Sequence, residues 1–144
     1  MIGERGDLIT EINETRVMDE IVYWSARQLA EAIRTKRLSS QEVVDAHLRR
    51  IEEVNPKLNA VVQLTVETDQ AEPRRADAEV ARGMIRGPLH GVPITVKDSL
   101  AVAGVITTAG TPGLASYVPS QDATAVARLR AAGAVVLGKS DARD

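Results

Sequence analysis

Gly87-Pro88-Leu89-His90-Gly91-Val92-Pro93-Ile94-Thr95-Val96-Lys97-Asp98 is the stretch on which the reading of this chain turns. Glycine and proline make its first half a tight turn, which delivers the backbone into a short apolar run from Val92 to Val96 that ends on two adjacent charges. Strand alternation puts Val92, Ile94 and Val96 on one face and Pro93, Thr95 and Lys97 on the other. Lys97 is thereby fixed at the carboxyl end of the strand, the edge of an open α/β sheet where ligands bind. Two readings of it compete: a lysine placed for chemistry, and a lysine that leaves the sheet for water beside Asp98.

Beyond the strand, Ser99 to Gln121 contains Gly104, Gly110, Pro112, Gly113 and Pro119 and shows no periodic pattern. Irregular stretches of that length in a compact domain are usually functional loops, and this one follows Lys97 directly. A helix is predicted from Asp122 to Ala132, with Asp122 as its cap or first-turn acid, Val126 and Leu129 inward, and Gly133 as a left-handed stop. Ala134 to Leu137 is the next buried strand. Strand, helix, strand in this order predicts a parallel pair joined by a right-handed crossover.

Upstream, Ser25 to Gln28 and Ser39 to Glu42 both have capping-box spacing. Ala26, Leu29, Ala30 and Ile33 make an apolar stripe on a first helix that runs to about Lys36. Val44, Leu48, Ile51 and Val54 make one on a second, which Asn55-Pro56 is expected to stop. The pair reads as a helical hairpin. Leu58 to Leu64 reads as an edge strand, and Glu67 to Arg82 as a solvated helix that either starts near Pro73 or is kinked there. Met1 to Ile21 carries no turn punctuation and reads as a mobile leader or a weak helix.

The 144 residues suffice for one domain with a core. With 44% hydrophobic and 26% charged residues the mix is that of an ordinary globular protein, and a net charge of −2 gives no nucleic-acid footprint. The absence of cysteine excludes a disulfide framework, a thiolate metal site and a cysteine nucleophile. No apolar run has the length of a membrane span, and the acidic start lacks a signal peptide's basic region, so a soluble cytoplasmic protein is expected, with no membrane partner.

Gly133 to Ser140 matches the phosphate-loop expression GxxxxGK[ST], but its four inter-glycine residues are themselves strand residues. A true phosphate loop needs a strand before its first glycine and a helix after its lysine, so the match is read as inert. His47 and His90 stand apart, without carboxylate or cysteine neighbours at ligand spacing, so no metal is expected. His47 reads as helix surface or boundary, and His90 as a residue that stabilises the turn. Ser99 is two positions from Lys97, too far along an extended strand for an assured hydrogen bond between the two.

Gly87 to Pro93, Val96-Lys97-Asp98, Thr107-Thr108-Ala109-Gly110 and Leu129 to Lys139 together resemble the amidase-signature family of amide hydrolases. The resemblance runs from about Trp24 to Lys139. It implies an α/β fold: the N-terminal part of the amidase-signature fold, a helical hairpin followed by a partial mixed sheet with a parallel βαβ unit. It implies a leader at 1–22 and, at 23–144, the N-terminal portion of an amidase domain, ending before the family's serine-rich segment. It further implies that Lys97 is the catalytic base of a Ser, cis-Ser, Lys triad whose serines lie in that segment, so that the chain alone is expected to be inactive. Its substrate would be a small carboxylic amide, with no cofactor, and its partner a downstream half or a second copy of the chain. Two alternatives stay open: the amidase subunit of a tRNA-dependent amidotransferase, in which asparagine is more usual at the place of Ser99, and an inert interaction fragment. After Gly138-Lys139-Ser140 the sequence departs from the family pattern, with Asp141 where asparagine is usual.

Overall fold

Two reciprocal serine caps start the helical hairpin. In the computed structural model, which describes residues 20–65 and 71–141, the Gln28 N–H donates to Ser25 Oγ (3.3 Å) and the Ser25 N–H to Gln28 Oε1 (2.8 Å), opening α1 (Ala26–Arg34). Ser39 and Glu42 repeat the exchange at 3.0 and 2.7 Å to open α2 (Ser40–Leu58). Both boxes are therefore as the sequence predicts. Helix α1 ends at Arg34, two residues earlier than expected, because Lys36 turns left-handed at φ 59°. Its inward residues are Leu29, Ala32 and Ile33, whereas Ala26 is exposed.

Helix α2 corrects the expected stop at Asn55-Pro56 by continuing through Pro56 to Leu58. The missing proline N–H frees only the Glu52 carbonyl, on an exposed residue where water can satisfy it. Asn55 acts as a clamp: its Nδ2 donates to the Val61 carbonyl (2.8 Å) and its Oδ1 accepts the Val61 N–H (2.9 Å), tying the helix to the next strand. The end comes at Asn59, which is left-handed at φ 49°.

Helix α3 (Ala71–Ala81) carries Pro73 as the third of its described residues, and the choice between a start near Pro73 and a kink there falls on residues outside the described part. The part of the expected helix at 67–70 lies outside the described residues. Pro73, Ala76 and Val80 are buried, so α3 is a packed helix and not the solvated one its composition suggests.

Strands β1 (Val61–Leu64), β2 (Pro93–Lys97) and β3 (Val135–Ser140) form a mixed sheet in the order β1-β3-β2. β1 lies at the edge, antiparallel to β3; β2 lies parallel to β3 and is joined to it by α4 (Thr124–Ala131). This is the expected parallel βαβ unit. Asp122 does not cap α4: Ala123 is the N-cap residue, while Asp122 accepts the Ala103 N–H at 2.8 Å and pairs with Arg130 at 3.2 Å. Of the two expected inward residues Val126 is fully buried, but Leu129 is exposed. Gly133 has the expected left-handed backbone, φ 96°.

Three apolar clusters fill the interior. Ile21, Leu29, Ile33, Val43, Val80 and Val92 pack between the helices and the start of β2; Val44, Leu48 and Ile51 cover Val135 and Leu137; Val96, Val102, Val126 and Val136 lie on the other side of the sheet. Ile21 and Val22 belong to this packed body, although the sequence places them in the leader; residues 1–19 are outside the described part.

An irregularity between β2 and β3 decides the side on which Lys139 lies. Ile94 pairs with Val136 and Thr95 with Gly138, so β3 spends one extra residue, Leu137, opposite the step from Ile94 to Thr95. Strict alternation from Val135 and Leu137 would turn Lys139 toward α2. The bulge instead sets Lys139 opposite Val96, on the face covered by the 99–121 loop.

Candidate active site

The turn before β2 is shaped by close backbone approaches. The Leu89 N–H donates to the Ala132 carbonyl (3.0 Å) and the Gly91 N–H to the Gly133 carbonyl (2.8 Å), locking the turn onto the end of α4. A Cβ on Gly133 would stand 2.6 Å from His90 Cα, and one on Gly91 2.9 Å from Ser40 Cβ. Both positions also have positive φ. His90 is buried; its Nδ1 accepts the Arg86 N–H (3.0 Å) and its Nε2 donates to the Ala76 carbonyl (2.9 Å). These two bonds tie the turn to α3, the stabilising role its position suggests. His47 is half-buried on α2, with Nδ1 2.7 Å from the Val43 carbonyl.

The turn thus sets where β2 begins, and the strand carries Lys97 to its carboxyl end as expected. Lys97 is exposed there, opposite Ser140 in the register and on the other face from Val96. Chain direction changes immediately afterwards, as the Leu100 N–H closes on the Lys97 carbonyl (2.9 Å). Ser99 is exposed within that turn.

Beside Lys97, Asp98 points inward and is buried. It accepts hydrogen bonds from the Thr108 N–H (3.1 Å) and, at short range, from the Thr108 hydroxyl, while its own N–H donates to the Ser140 carbonyl (2.9 Å). Lys139 Nζ lies 3.4 Å from Asp98 Oδ1 and donates to the Leu100 carbonyl (2.7 Å) and to Thr107 Oγ1 (3.0 Å). The Lys139 side chain is 0% exposed. Burial pushes its ammonium below the ordinary lysine range, and the Asp98 carboxylate offsets part of that shift. An open cavity of about 360 Å³ adjoins this cluster, lined in part by Asp98, Thr108, Gly110 and Asp141.

The phosphate-loop match is accounted for by the same cluster. Its inter-glycine residues lie in β3, and its lysine is already bound to a carboxylate, a carbonyl and a hydroxyl. Among the described residues no three His, Asp or Glu side chains are arranged to hold a metal ion. Asp98, Thr107, Thr108 and Lys139 form a polar centre that sequence reasoning did not assemble. The available signal was a lysine inside an otherwise apolar strand, a position that demands a partner.

A strand end with an exposed lysine, followed by an aspartate and a threonine turn folded back upon it, is set out along the chain in the order of one family's motifs. The amidase family model matches residues 42–143. The chain belongs to the amidase family. AmiD of Mycobacterium bovis is 47% identical over 121 residues, 84% of this chain and 26% of its own length. A glutamyl-tRNA(Gln) amidotransferase subunit of Carboxydothermus hydrogenoformans is 43% identical over 122 residues, 85% of this chain and 25% of its own. The solved peptide amidase from Stenotrophomonas maltophilia superposes with a TM-score of 0.76 at 37% identity, over 82% of this chain and 24% of that one. This amidase-family chain therefore spans about a quarter of the length of the curated relatives it matches. Its fold is that of the corresponding part of amidase-signature structures.

Proposed function

We propose that this chain supplies the lysine side of an amide-hydrolysing site, with Lys97 as the base of a Ser, cis-Ser, Lys triad. The observation that carries the reading is the placement of Lys97: exposed at the carboxyl end of β2, in the position that matches the family motif. In this mechanism Lys97 takes a proton from a cis-peptide serine, which relays it from the nucleophilic serine. The nucleophile attacks the amide carbonyl, an acyl-enzyme forms, ammonia or an amine leaves, and water completes hydrolysis. Both serines, and the backbone N–H groups that stabilise the tetrahedral oxyanion, come from outside these 144 residues. Residues 23–144 thus act as the N-terminal portion of an amidase domain in a soluble cytoplasmic protein, completed by a downstream half or by association with another polypeptide. A small carboxylic amide is the substrate.

Complementation tests this. The purified chain is mixed with the serine-bearing remainder of AmiD and assayed on acetamide, benzamide and glutamine. Turnover is expected with the wild-type chain and not with Lys97→Ala at equal folded content; equal turnover in both removes Lys97 from the mechanism. The chain by itself is expected to give none, and turnover of the chain alone that vanishes in Lys97→Ala would place a nucleophile within it, Ser99 first.

A second reading, the amidase subunit of a tRNA-dependent amidotransferase, is favoured by the near-equal identity to the amidotransferase relative, 43% against 47% for AmiD. Ser99 weighs against it. Turnover of glutamine on complementation with the corresponding remainder of the Carboxydothermus hydrogenoformans amidotransferase subunit, and none with that of AmiD, would decide for the amidotransferase.

A further inference from the structure

The polar centre below Lys97 is costly to build. A lysine and an aspartate are both withdrawn from water, and such a pair contributes little net stability compared with well-packed apolar residues of similar volume. What it does supply is geometry. The Lys139 ammonium spends its donors on three separate pieces of chain: the Asp98 carboxylate next to Lys97, the Leu100 carbonyl three residues after Lys97, and the Thr107 hydroxyl across the loop. Asp98 in turn holds Thr108 through both its N–H and its hydroxyl, and its carbonyl accepts the Ala109 N–H at 3.3 Å. Ala109 is left-handed at φ 49°, and Gly110 follows at φ 72°. A non-glycine residue in that region costs about 1–2 kcal/mol, so the turn is held there by its surroundings. The bulge in β3 gives the cluster its means of assembly, since with Leu137 paired in strict alternation Lys139 would face α2.

We propose that Lys139 is a positioning residue for Lys97: its buried ammonium binds Asp98, Leu100 and Thr107 into one unit, and this unit fixes the end of β2 from which Lys97 projects together with the Thr107–Gly110 turn. The proposal rests on the reading of Lys97 as the base. Lys139 touches no reacting group and acts on catalysis only through the backbone at 97–100 and the turn at 107–110. An apolar residue at 139 would fill the same space, but it would leave the strand end and the loop without a common anchor.

The test uses the 144-residue chain and the paired variant Lys139→Met with Asp98→Asn, which removes both charges without stranding either. Amide hydrogen exchange is followed at Asp98, Leu100, Thr108 and Ala109, with Val136 and Leu137 as references within the sheet. Brief acetylation with acetic anhydride, read by mass spectrometry, reports Lys97 against the exposed Lys36 and Lys57. In the folded double variant the four loop and strand-end amides are expected to exchange about tenfold faster while the two reference amides keep their rates. The ratio of acetylation at Lys97 to that at Lys36 should shift as well. Unchanged exchange at the four amides, or acceleration spread equally over the references, overturns the proposal, because a residue that only adds stability moves all of them together. Should the double variant not fold, Thr107→Val, which removes one of the three partners, decides by the same criteria. Amide turnover enters nowhere in this measurement, so failure of Lys97 as the base and failure of Lys139 as its positioning residue are seen separately.

Discussion

Lys139 Nζ stands 3.4 Å from Asp98 Oδ1, where both side chains are withdrawn from solvent. Removing one partner leaves the other charge buried and unpaired. Lys139→Met alone is therefore expected to destabilise the fold by about 3–5 kcal/mol, and combination with Asp98→Asn to restore most of the loss. Urea unfolding of the two single variants and the double measures the coupling; strictly additive losses would show that the two groups do not depend on each other.

Lys97→Ala should behave oppositely. The side chain is exposed at a strand end, so its removal is expected to change stability by no more than about 0.5 kcal/mol. The same substitution should abolish turnover in the complemented enzyme. Thermal unfolding beside the hydrolysis assay separates the two effects, and a large drop in midpoint would mean that Lys97 serves the scaffold.

At Gly133, alanine meets two obstacles, a φ of 96° and a Cβ only 2.6 Å from His90 Cα. Gly133→Ala is expected to cost about 2 kcal/mol or more, since the backbone cannot relax without moving the turn that sets β2. A loss within a few tenths of a kcal/mol of zero, read by chemical denaturation, would show that this turn is softer than its hydrogen bonds imply.

Acid should weaken one specific ion pair. Arg86 Nη2 donates to Glu79 Oε1 at 2.7 Å and its Nε lies 2.7 Å from Oε2. This contact holds the Glu79 carboxyl below its ordinary value of 4.5. On acidification the unfolded chain takes up the proton first, so the stabilisation is complete above that ordinary value and is lost as pH falls through the folded one. The gap in stability between the wild type and Glu79→Gln should close as pH falls below 4.5 and through the lowered folded value; a gap of constant size throughout the acid titration would exclude the pair as a source of acid sensitivity.

Asp77 offers a fifth test. It reaches from α3 to accept the Ser40 N–H (2.6 Å) and the Gln41 N–H (3.1 Å), adding a second cap to the start of α2. Asp77→Ala should cost about 1–2 kcal/mol, as for the loss of a strong N-cap. Circular dichroism during urea unfolding reports it, and an unchanged midpoint would mean that Ser39 suffices alone.

The parts of this fold that were legible in the sequence are those governed by near neighbours. Ser25 with Gln28 and Ser39 with Glu42 announce helix starts, Gly133 announces a helix end, and the order of β2, α4 and β3 fixes their parallel pairing. Lys97 was also legible, because a strand's alternation and end can be counted. What escaped depends on partners far along the chain. Pro56 stays inside a helix that Asn55 ties to Val61, Asp122 serves the loop and Arg130 before its own helix, and Leu129 faces outward although the periodicity points it in. Asp98 and Lys139 are 41 residues apart in number, and no local pattern joins them. The Gly-Lys-Ser sequence around Lys139 drew attention to phosphate, whereas the partner that matters is a carboxylate.

The extra residue in β3 can also be viewed as a change of parity. Up to Leu137 the strand's odd-numbered residues feed the layer under α2; beyond it Lys139, again odd-numbered, feeds the opposite layer. One strand therefore serves two interiors of different chemistry, an aliphatic one with Val44 and an ionic one with Asp98, with Leu137 left without a β2 partner between them. Deleting Leu137 would remove the bulge yet leave Gly138, Lys139 and Ser140 opposite Thr95, Val96 and Lys97, so Lys139 would stay on the ionic side while the aliphatic layer lost a buried side chain. The extra residue thus adds an aliphatic side chain to the layer under α2 ahead of the lysine and leaves the lysine's own pairing with β2 as a regular strand would have it.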